Sequence, residues 1–395
     1  MKKTVSLAMI AVLALMAFGC AAAPPASGPA APAAGGAMPD TIKIGVMGTM
    51  TGEQALDGDS IKGSIALIQK ELEADGGLQV GGKMVQVEFV YGDTEAKPEL
   101  SVNVMQKLIA QDKVVAVIGP NNSSDCLSAY EVAQAAGVPC ISNGATNIKV
   151  TQIGDYCFRA CFIDPFQGKM MAKYAIETCG LKTTAILYNN ADAYSTGLME
   201  AYRDSFEALG GTVVAVEAFA GTEVKDYSAQ LTAIMSAKPA SFYIPTQNNM
   251  IPMIVQQARR MGIDAQLLGC DSWDFDFLPG LIGLEFCEGA LFTSGYSNGI
   301  ETVKDYYDAF VALNGFEPNM PAVLTYEGAH VVFNAIQACQ SVEGAALRDA
   351  MAATKMDLPT GPFSFDEDRN PVKGCVIVEI NGEGERVYVT SVNAA

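Results

Sequence analysis

The stretch from Val114 to Thr151, VVAVIGPNNSSDCLSAYEVAQAAGVPCISNGATNIKVT, limits the folds open to this chain more than any other. Two short apolar runs, Val114 to Ile118 and Val138 to Ile141, each empty at once into small and hydroxyl residues. Asn122, Ser123 and Ser124 follow the first run, and Ser142, Gly144 and Thr146 follow the second, with a helical segment predicted from Asp125 to Ala136 between them. A strand, a polar turn and a helix make half of a βαβ unit. Two in tandem bring both turns to the carboxyl edge of one parallel sheet. Neighbouring strands there stand ~4.8 Å apart, so the two hydroxyl clusters become neighbours. Helix N-termini offer free N–H groups and positive dipole ends, so such an edge suits a small carboxylate. Ser and Asn also cap helices, and spacing alone does not separate a cap from a ligand contact.

The chain alternates apolar strands with amphipathic helices along the rest of its length, the pattern of a parallel α/β sheet. Strands are expected at Ile42 to Met47 and Val85 to Tyr91, with a helix from Ser60 to Asp75 between them and another from Glu99 to Gln111. Near Asp164 to Gln167 the pattern restarts. Strands are expected at Thr184 to Tyr188, Val213 to Phe219, Ser241 to Pro245 and Gln266 to Gly269, again separated by helices. Two βα series of similar length imply two lobes of like topology. A third part holds helices at Thr302 to Leu313, Pro321 to Cys339 and Glu343 to Thr354. The end reads as strands at Gly361 to Asp366, Gly374 to Ile380 and Arg386 to Val392.

The first forty residues read differently. Lys2 and Lys3, an apolar run from Val5 to Met16 and the small residues before Cys20 fit a secretory signal too short to span a membrane. The order resembles the lipobox of bacterial lipoproteins, which implies lipid attachment at Cys20. Residues 21–40, almost entirely Ala, Pro, Gly and Ser, read as a flexible tether. The expected product is a globular body held at the extracytoplasmic face of a membrane by its end.

That body has half its residues apolar and is long enough for two domains. Without Lys2 and Lys3 it carries 23 basic and 44 acidic residues, a formal charge of −21, which disfavours nucleic acid and anionic membrane surfaces. Of ten cysteines, the nine after Cys20 lie mostly in apolar runs and read as buried free thiols, although export to an oxidising compartment would permit a bridge. Catalytic and metal chemistry find little support. His330 is the only histidine, and no P-loop or GxGxxG follows a strand. Asp366, Asp368 and Asn370 begin like a calcium loop, but Pro371 and Ile377 stand where Gly and Glu are needed. No enzyme activity, cofactor or metal is expected.

The motifs IKIGVMGTMTG at residues 42–52, YGDTEAKPE at 91–99, VIGPNNSS at 117–124, GVPCISNGAT at 137–146 and GPFSFDE at 361–367 resemble, in that order, the type I periplasmic binding proteins. More narrowly they resemble the branched-chain amino acid binding proteins that serve ABC transporters. The resemblance covers Thr41 to Val392. It implies two Rossmann-like lobes joined by three crossovers, residues 41–162 plus 292–372 and 163–291 plus 373–395, closing by a hinge motion on a ligand in the cleft. It also implies a monomer, with ABC permease subunits as partners.

The family's roles carry over residue by residue. Ser123 and Thr146 match the hydroxyl residues that bind the ligand's α-carboxylate, and Gly144 holds the place whose carbonyl receives the ammonium. Tyr194 and Asp271 match the second-lobe aromatic and the acid that pairs with the ammonium. Where the ligand's side chain would lie, the sequence departs from the branched-chain pattern. Asp57 and Gln247 replace aromatics, Asn121 and Asn122 replace apolar residues, and Trp273 stands where it would cap the pocket. Buried polar groups need partners, so this lining predicts an amino acid with a polar or cationic side chain. Two other readings share the fold: a receptor for urea, short amides or another small solute, and a ligand-sensing lipoprotein uncoupled from transport.

Overall fold

The computed structural model describes residues 38–52, 54–275 and 278–392. The signal segment, Cys20 and most of the tether lie outside the described residues. Among the described residues, fifteen strands fall into two large sheets and one small one.

The first sheet holds β1 (Thr41–Gly48), β2 (Leu78–Val80), β3 (Lys83–Asp93), β4 (Ala116–Ile118), β5 (Cys140–Ser142) and β6 (Cys157–Arg159), in the order β2-β3-β1-β4-β5-β6. All its pairs are parallel except the β2–β3 hairpin. Helices α1 (Ala55–Asp75), α2 (Pro98–Lys107), α3 (Ser123–Ala136) and α4 (Lys149–Gln152) connect these strands. β1, β4 and β5 are buried along nearly their whole length, as strands covered on both faces must be.

The chain then crosses to a second sheet through α5 (Asp164–Lys173). That sheet holds β7 (Thr183–Asn189), β8 (Thr212–Phe219), β9 (Ser241–Tyr243), β10 (Gln266–Gly269) and β11 (Leu291–Ser294), linked by α6 (Ala193–Ala208), α7 (Ser228–Ala237), α8 (Ile251–Arg260), α9 (Leu278–Ile282) and α10 (Leu284–Cys287). A second crossing leads to α11 (Lys304–Asn314), α12 (Met320–Cys339) and α13 (Gly344–Ala352). These pack on the first sheet, with Phe310, Val332 and Ile336 in the same core as Ile44 and Ile118. The small antiparallel sheet of β12 (Lys355–Leu358) and β13 (Gly361–Ser364) follows. The third crossing returns the chain to the second sheet as β14 (Cys375–Ile380) and β15 (Arg386–Val392), completing the order β15-β14-β11-β10-β9-β7-β8.

The helices and parallel strands lie close to where periodicity places them, and two differences have physical reasons. β12 was not foreseen, because Lys355–Leu358 carries too few alternating residues to announce itself and is made a strand by pairing with β13. β11 stays in the second sheet through Ser294, paired with β14, so the switch between lobes falls a few residues later than 291. The nine cysteines from Cys126 onward are free thiols, and seven are buried. Cys179 is exposed and Cys339 partly so.

The third crossing is fastened by a buried ion pair. Lys373 pairs with Glu327 of α12, whose other oxygen accepts from the Thr360 N–H at 2.8 Å and the Thr360 hydroxyl at 2.7 Å. Breaking one side of such a pair strands the other charge in the interior. Glu327→Leu is therefore expected to lower unfolding stability by about 3 kcal/mol, and adding Lys373→Met should restore at least half of it. Denaturant unfolding of the three proteins checks this.

Candidate functional site

The carboxyl ends of the parallel strands of both sheets point at one cavity, because the turn after each parallel strand lies at the same edge. Asp57, Asn121, Asn122, Ser123 and Gly144 line it from the first lobe, with Met320 and Pro321 at the start of α12. Tyr194, Gln247, Asn248, Asp271, Ser272 and Asp274 line it from the second. About 480 Å³ within this lining is free of atoms when the open mouth is counted in, and the enclosed part is far smaller.

The turn after β4 is set by glycine. Gly119 has φ +93°, and a Cβ there would lie 1.8 Å from the Met47 carbonyl oxygen. Only glycine lets β4 run so close to the end of β1. The turn after β5 approaches as closely, since a Cβ on Gly144 would lie 2.9 Å from the Asn121 carbonyl oxygen. α3 begins at Ser123, two residues earlier than periodicity suggests, so Ser123 stands at the helix N-terminus. Its hydroxyl oxygen accepts from the Asn147 N–H at 3.3 Å, which leaves the hydroxyl hydrogen free to donate. Thr146 is fully buried just behind the cavity wall, and its hydroxyl forms no well-aligned hydrogen bond.

An amide ladder closes the first-lobe side. The Asn122 amide donates to Gln54 Oε1 at 2.8 Å, and the Asn121 amide donates to Asn122 Oδ1 at 3.3 Å and to Asp57 Oδ2 at 3.1 Å. Asn248 reaches over from the second lobe to donate to Asp57 Oδ1 at 3.0 Å. Asp57 thus joins both lobes, with neutral amides at both oxygens. Burial pushes its carboxyl up to about 7, against the Asn248 hydrogen bond and helped by the Asp271 charge.

In the second lobe the Tyr194 hydroxyl donates to Asp271 Oδ1 at 2.5 Å. The Asp271 N–H donates to Gln167 Oε1 at 2.8 Å, which also accepts from the Thr293 hydroxyl at 2.7 Å. Burial raises the Asp271 carboxyl to about 6, while hydrogen bonds from Tyr194 and Gln167 hold it from going higher. Gln247 donates to Asp192 Oδ2 at 3.0 Å, and the other oxygen of Asp192 accepts from the Ser124 hydroxyl of the first lobe at 2.9 Å. The Asn147 amide donates to the Ala193 carbonyl at 2.8 Å, a further contact between lobes.

The structure brings Asp57, Asn121, Asn122, Ser123, Gly144, Tyr194, Gln247 and Asp271 onto one cavity. It brings neither Thr146 nor Trp273 to that lining. The indole is fully buried against Gly269, and its N–H donates to the Ile244 carbonyl at 3.0 Å. An aromatic that large gains more from closing the second-lobe core than from a cavity rim. Sequence reasoning missed Asn248, Ser272, Asp274, Met320 and Pro321. Asn248 stood beside Gln247 and was within reach, whereas Met320 and Pro321 arrive from a helix far along the chain that no local signal links to the cleft. Among the described residues, no group of His, Cys, Asp and Glu is arranged to hold a metal ion.

Two lobes whose strand ends converge on a polar cavity rimmed by buried acids and hydroxyls define a two-lobed small-molecule binding protein. A family model described as periplasmic binding protein matches residues 41–385, and the chain belongs to that family, in its type I, branched-chain amino acid binding-like group. It is 30% identical to an amino acid binding protein of Pseudomonas aeruginosa over 288 residues, 72% of this chain and 75% of that one. A substrate-binding protein LivJ of Streptococcus pneumoniae, solved with isoleucine, superposes with a TM-score of 0.82 at 31% identity, over 89% of this chain and 99% of that one. A solute-binding protein of Rhodopseudomonas palustris, solved with 3,4-dihydroxybenzoic acid, superposes with a TM-score of 0.81 at 27% identity, over 90% and 98%.

Asp271 gives a stability test with a definite sign. Its carboxyl is raised from 3.8 to about 6, so between those values the folded state binds more protons than the unfolded one, and stability falls as pH rises. Asp271→Asn removes that loss. The variant is expected to be more stable than the wild type by on the order of 3 kcal/mol at pH 7 and no more stable near pH 4, as urea unfolding at both pH values will show.

Proposed function

We propose that this chain is the solute-binding lipoprotein of an ABC importer and captures a free amino acid with a polar or cationic side chain. The observation that carries this reading is the pair of acids lining one cavity from its two lobes, Asp57 and Asp271, buried and hydrogen-bonded to neutral groups. A buried carboxylate with only neutral donors remains under-compensated, and a ligand ammonium supplies what is missing. The Ser123 hydroxyl, free to donate, and the orphaned Thr146 hydroxyl receive the α-carboxylate. Asp271 receives the α-ammonium, aided by the Gly144 carbonyl and held in place by Tyr194. Asp57, Asn121, Asn122 and Gln247 then face the side chain. The relatives' ligands, isoleucine in one and a dihydroxybenzoic acid in another, share a carboxylate and differ in everything beyond it. That pattern supports a common clamp with a variable pocket.

In this reading the first lobe comprises residues 41–162 with the helices and the small sheet between Ser294 and the third crossing, and the second comprises residues 163–294 with β14 and β15. The lobes open and close by a hinge at the three crossings. The contacts of Asp57 with Asn248 and of Ser124 with Asp192 form on closure. Cys20 carries the lipid, the protein acts as a monomer at the extracytoplasmic face, and permease subunits receive the ligand.

Native mass spectrometry of freshly purified protein identifies the ligand directly, and a co-purifying diamino acid is the expected result. Titration with L-lysine, L-ornithine and L-leucine supplies the contrast: tight leucine binding with no response to the diamino acids would overturn the polar pocket. Asp57→Leu is expected to weaken L-lysine by about tenfold to a hundredfold, the worth of a charged hydrogen bond, and to leave L-leucine within about threefold. Because Asp57 titrates near 7, lysine binding at pH 6 should release a proton. Calorimetry in buffers of different ionisation enthalpy measures this.

A further inference from the structure

The turn after β5 is held from behind by the segment that follows it. Arg159 Nη1 donates to the Ala145 carbonyl at 2.7 Å and Nη2 to the Asn147 carbonyl at 2.7 Å. Between them, the Asp164 N–H donates to the Thr146 carbonyl at 2.9 Å. Three consecutive carbonyls are thus tied back toward residues 159–164. A fully buried guanidinium in this place also puts a positive charge behind the turn.

The Asp164 side chain serves no such scaffold. The residue is 2% exposed, and a Cβ on Gly197 of α6 would lie 2.5 Å from its Oδ2, so only glycine leaves room for the carboxyl. Asp164 Oδ1, Asp164 Oδ2 and Thr146 Oγ1 are all buried, and none forms a well-aligned hydrogen bond. Burial acts most strongly on the carboxyl and raises it, and the nearby Thr146 hydroxyl opposes this by a smaller amount. The charged groups facing Asp164 are Arg159, which attracts, and Asp271 and Asp192, which repel; the Cys161 thiol and the Tyr243 hydroxyl also lie within its field.

We propose that Asp164 is a positioning residue of the carboxylate clamp: as a neutral acid it gives its proton in a hydrogen bond to Thr146 Oγ1, turning the Thr146 hydrogen toward the ligand carboxylate. This rests on the role given to Thr146 above. A hydroxyl donates one hydrogen, and what it accepts decides where that hydrogen points. An ionised Asp164 would take the hydrogen for itself, cancel the Arg159 charge and oppose the incoming carboxylate. A neutral one leaves the Arg159 charge acting on the clamp. Burial does push the Asp164 carboxyl well above the usual carboxylate range, in keeping with the neutral form.

The test is a double-mutant cycle on the full chain, read by calorimetry at pH 7 with L-lysine and L-leucine as probes. Thr146→Val and Asp164→Ala are each expected to weaken the probe that binds by about tenfold, and the double variant to bind no worse than Thr146→Val alone. Asp164→Asn, which keeps an uncharged donor, should bind within about threefold of the wild type. An Asp164→Ala loss that persists in full in the Thr146→Val background overturns the proposal, and so does an Asp164→Asn variant as weak as Asp164→Ala. If Thr146→Val itself changes nothing, or neither probe binds the wild type, the clamp reading has failed instead. Thermal unfolding verifies that each variant is folded. Should Asp164→Ala fail to fold, Asp164→Asn decides alone: weakened binding overturns the proposal and retained binding supports it.

Discussion

Two acids of the cleft, Asp57 and Asp271, have only neutral hydrogen-bond partners, and the arrangement around the cavity follows from that. Three other buried or half-buried acids show what a structural solution looks like. Glu327 has Lys373, Asp274 has the Arg386 guanidinium at 2.5 Å, and Glu317 has the same guanidinium at 3.1 Å. Asp57 and Asp271 have amides and a phenol instead, and burial raises both. Amides and hydroxyls orient a carboxylate without neutralising it, so the residual demand for positive charge faces the cavity. That costs stability in the empty protein, and in the proposed function the cost is offset when a cationic ligand binds.

The turns after β4 and β5 present groups of the other sign. Ser123 stands at a helix N-terminus, the carbonyls of the turn after β5 are drawn away, and Arg159 lies buried behind them. In the proposed function these groups receive the anion of the ligand and the two acids its cation. The side-chain pocket beside them is bounded by amides held in a fixed chain from Gln54 to Asn248, which leaves little freedom to repack around a different ligand.

Much of the fold was legible because parallel strands and amphipathic helices write their period into the sequence directly. The stretch from Val114 to Thr151 announced two strand ends and their hydroxyl residues, and Ser123 and Gly144 do line the cavity. Trp273 shows the limit. A lone aromatic beside a polar loop reads the same whether it turns to the cavity or to the core, and only packing on Gly269 and the Ile244 carbonyl decides. Asp164 is a second case, since at the start of a helix it looks like an ordinary first-turn acid until Gly197 and Thr146 are seen against it.

The sequence by itself determined the α/β alternation, the two lobes, the family and the residue types at the strand ends, because each of these is written in local period or in motifs of a few adjacent residues. Only the tertiary structure decided which polar groups meet. The contacts of Asn248 with Asp57, Ser124 with Asp192 and Arg159 with the carbonyls behind the clamp join different turns, lobes or segments. Whether a buried acid is a structural partner or an unmet charge depends on what lies a hydrogen bond away, and chain order does not contain that distance.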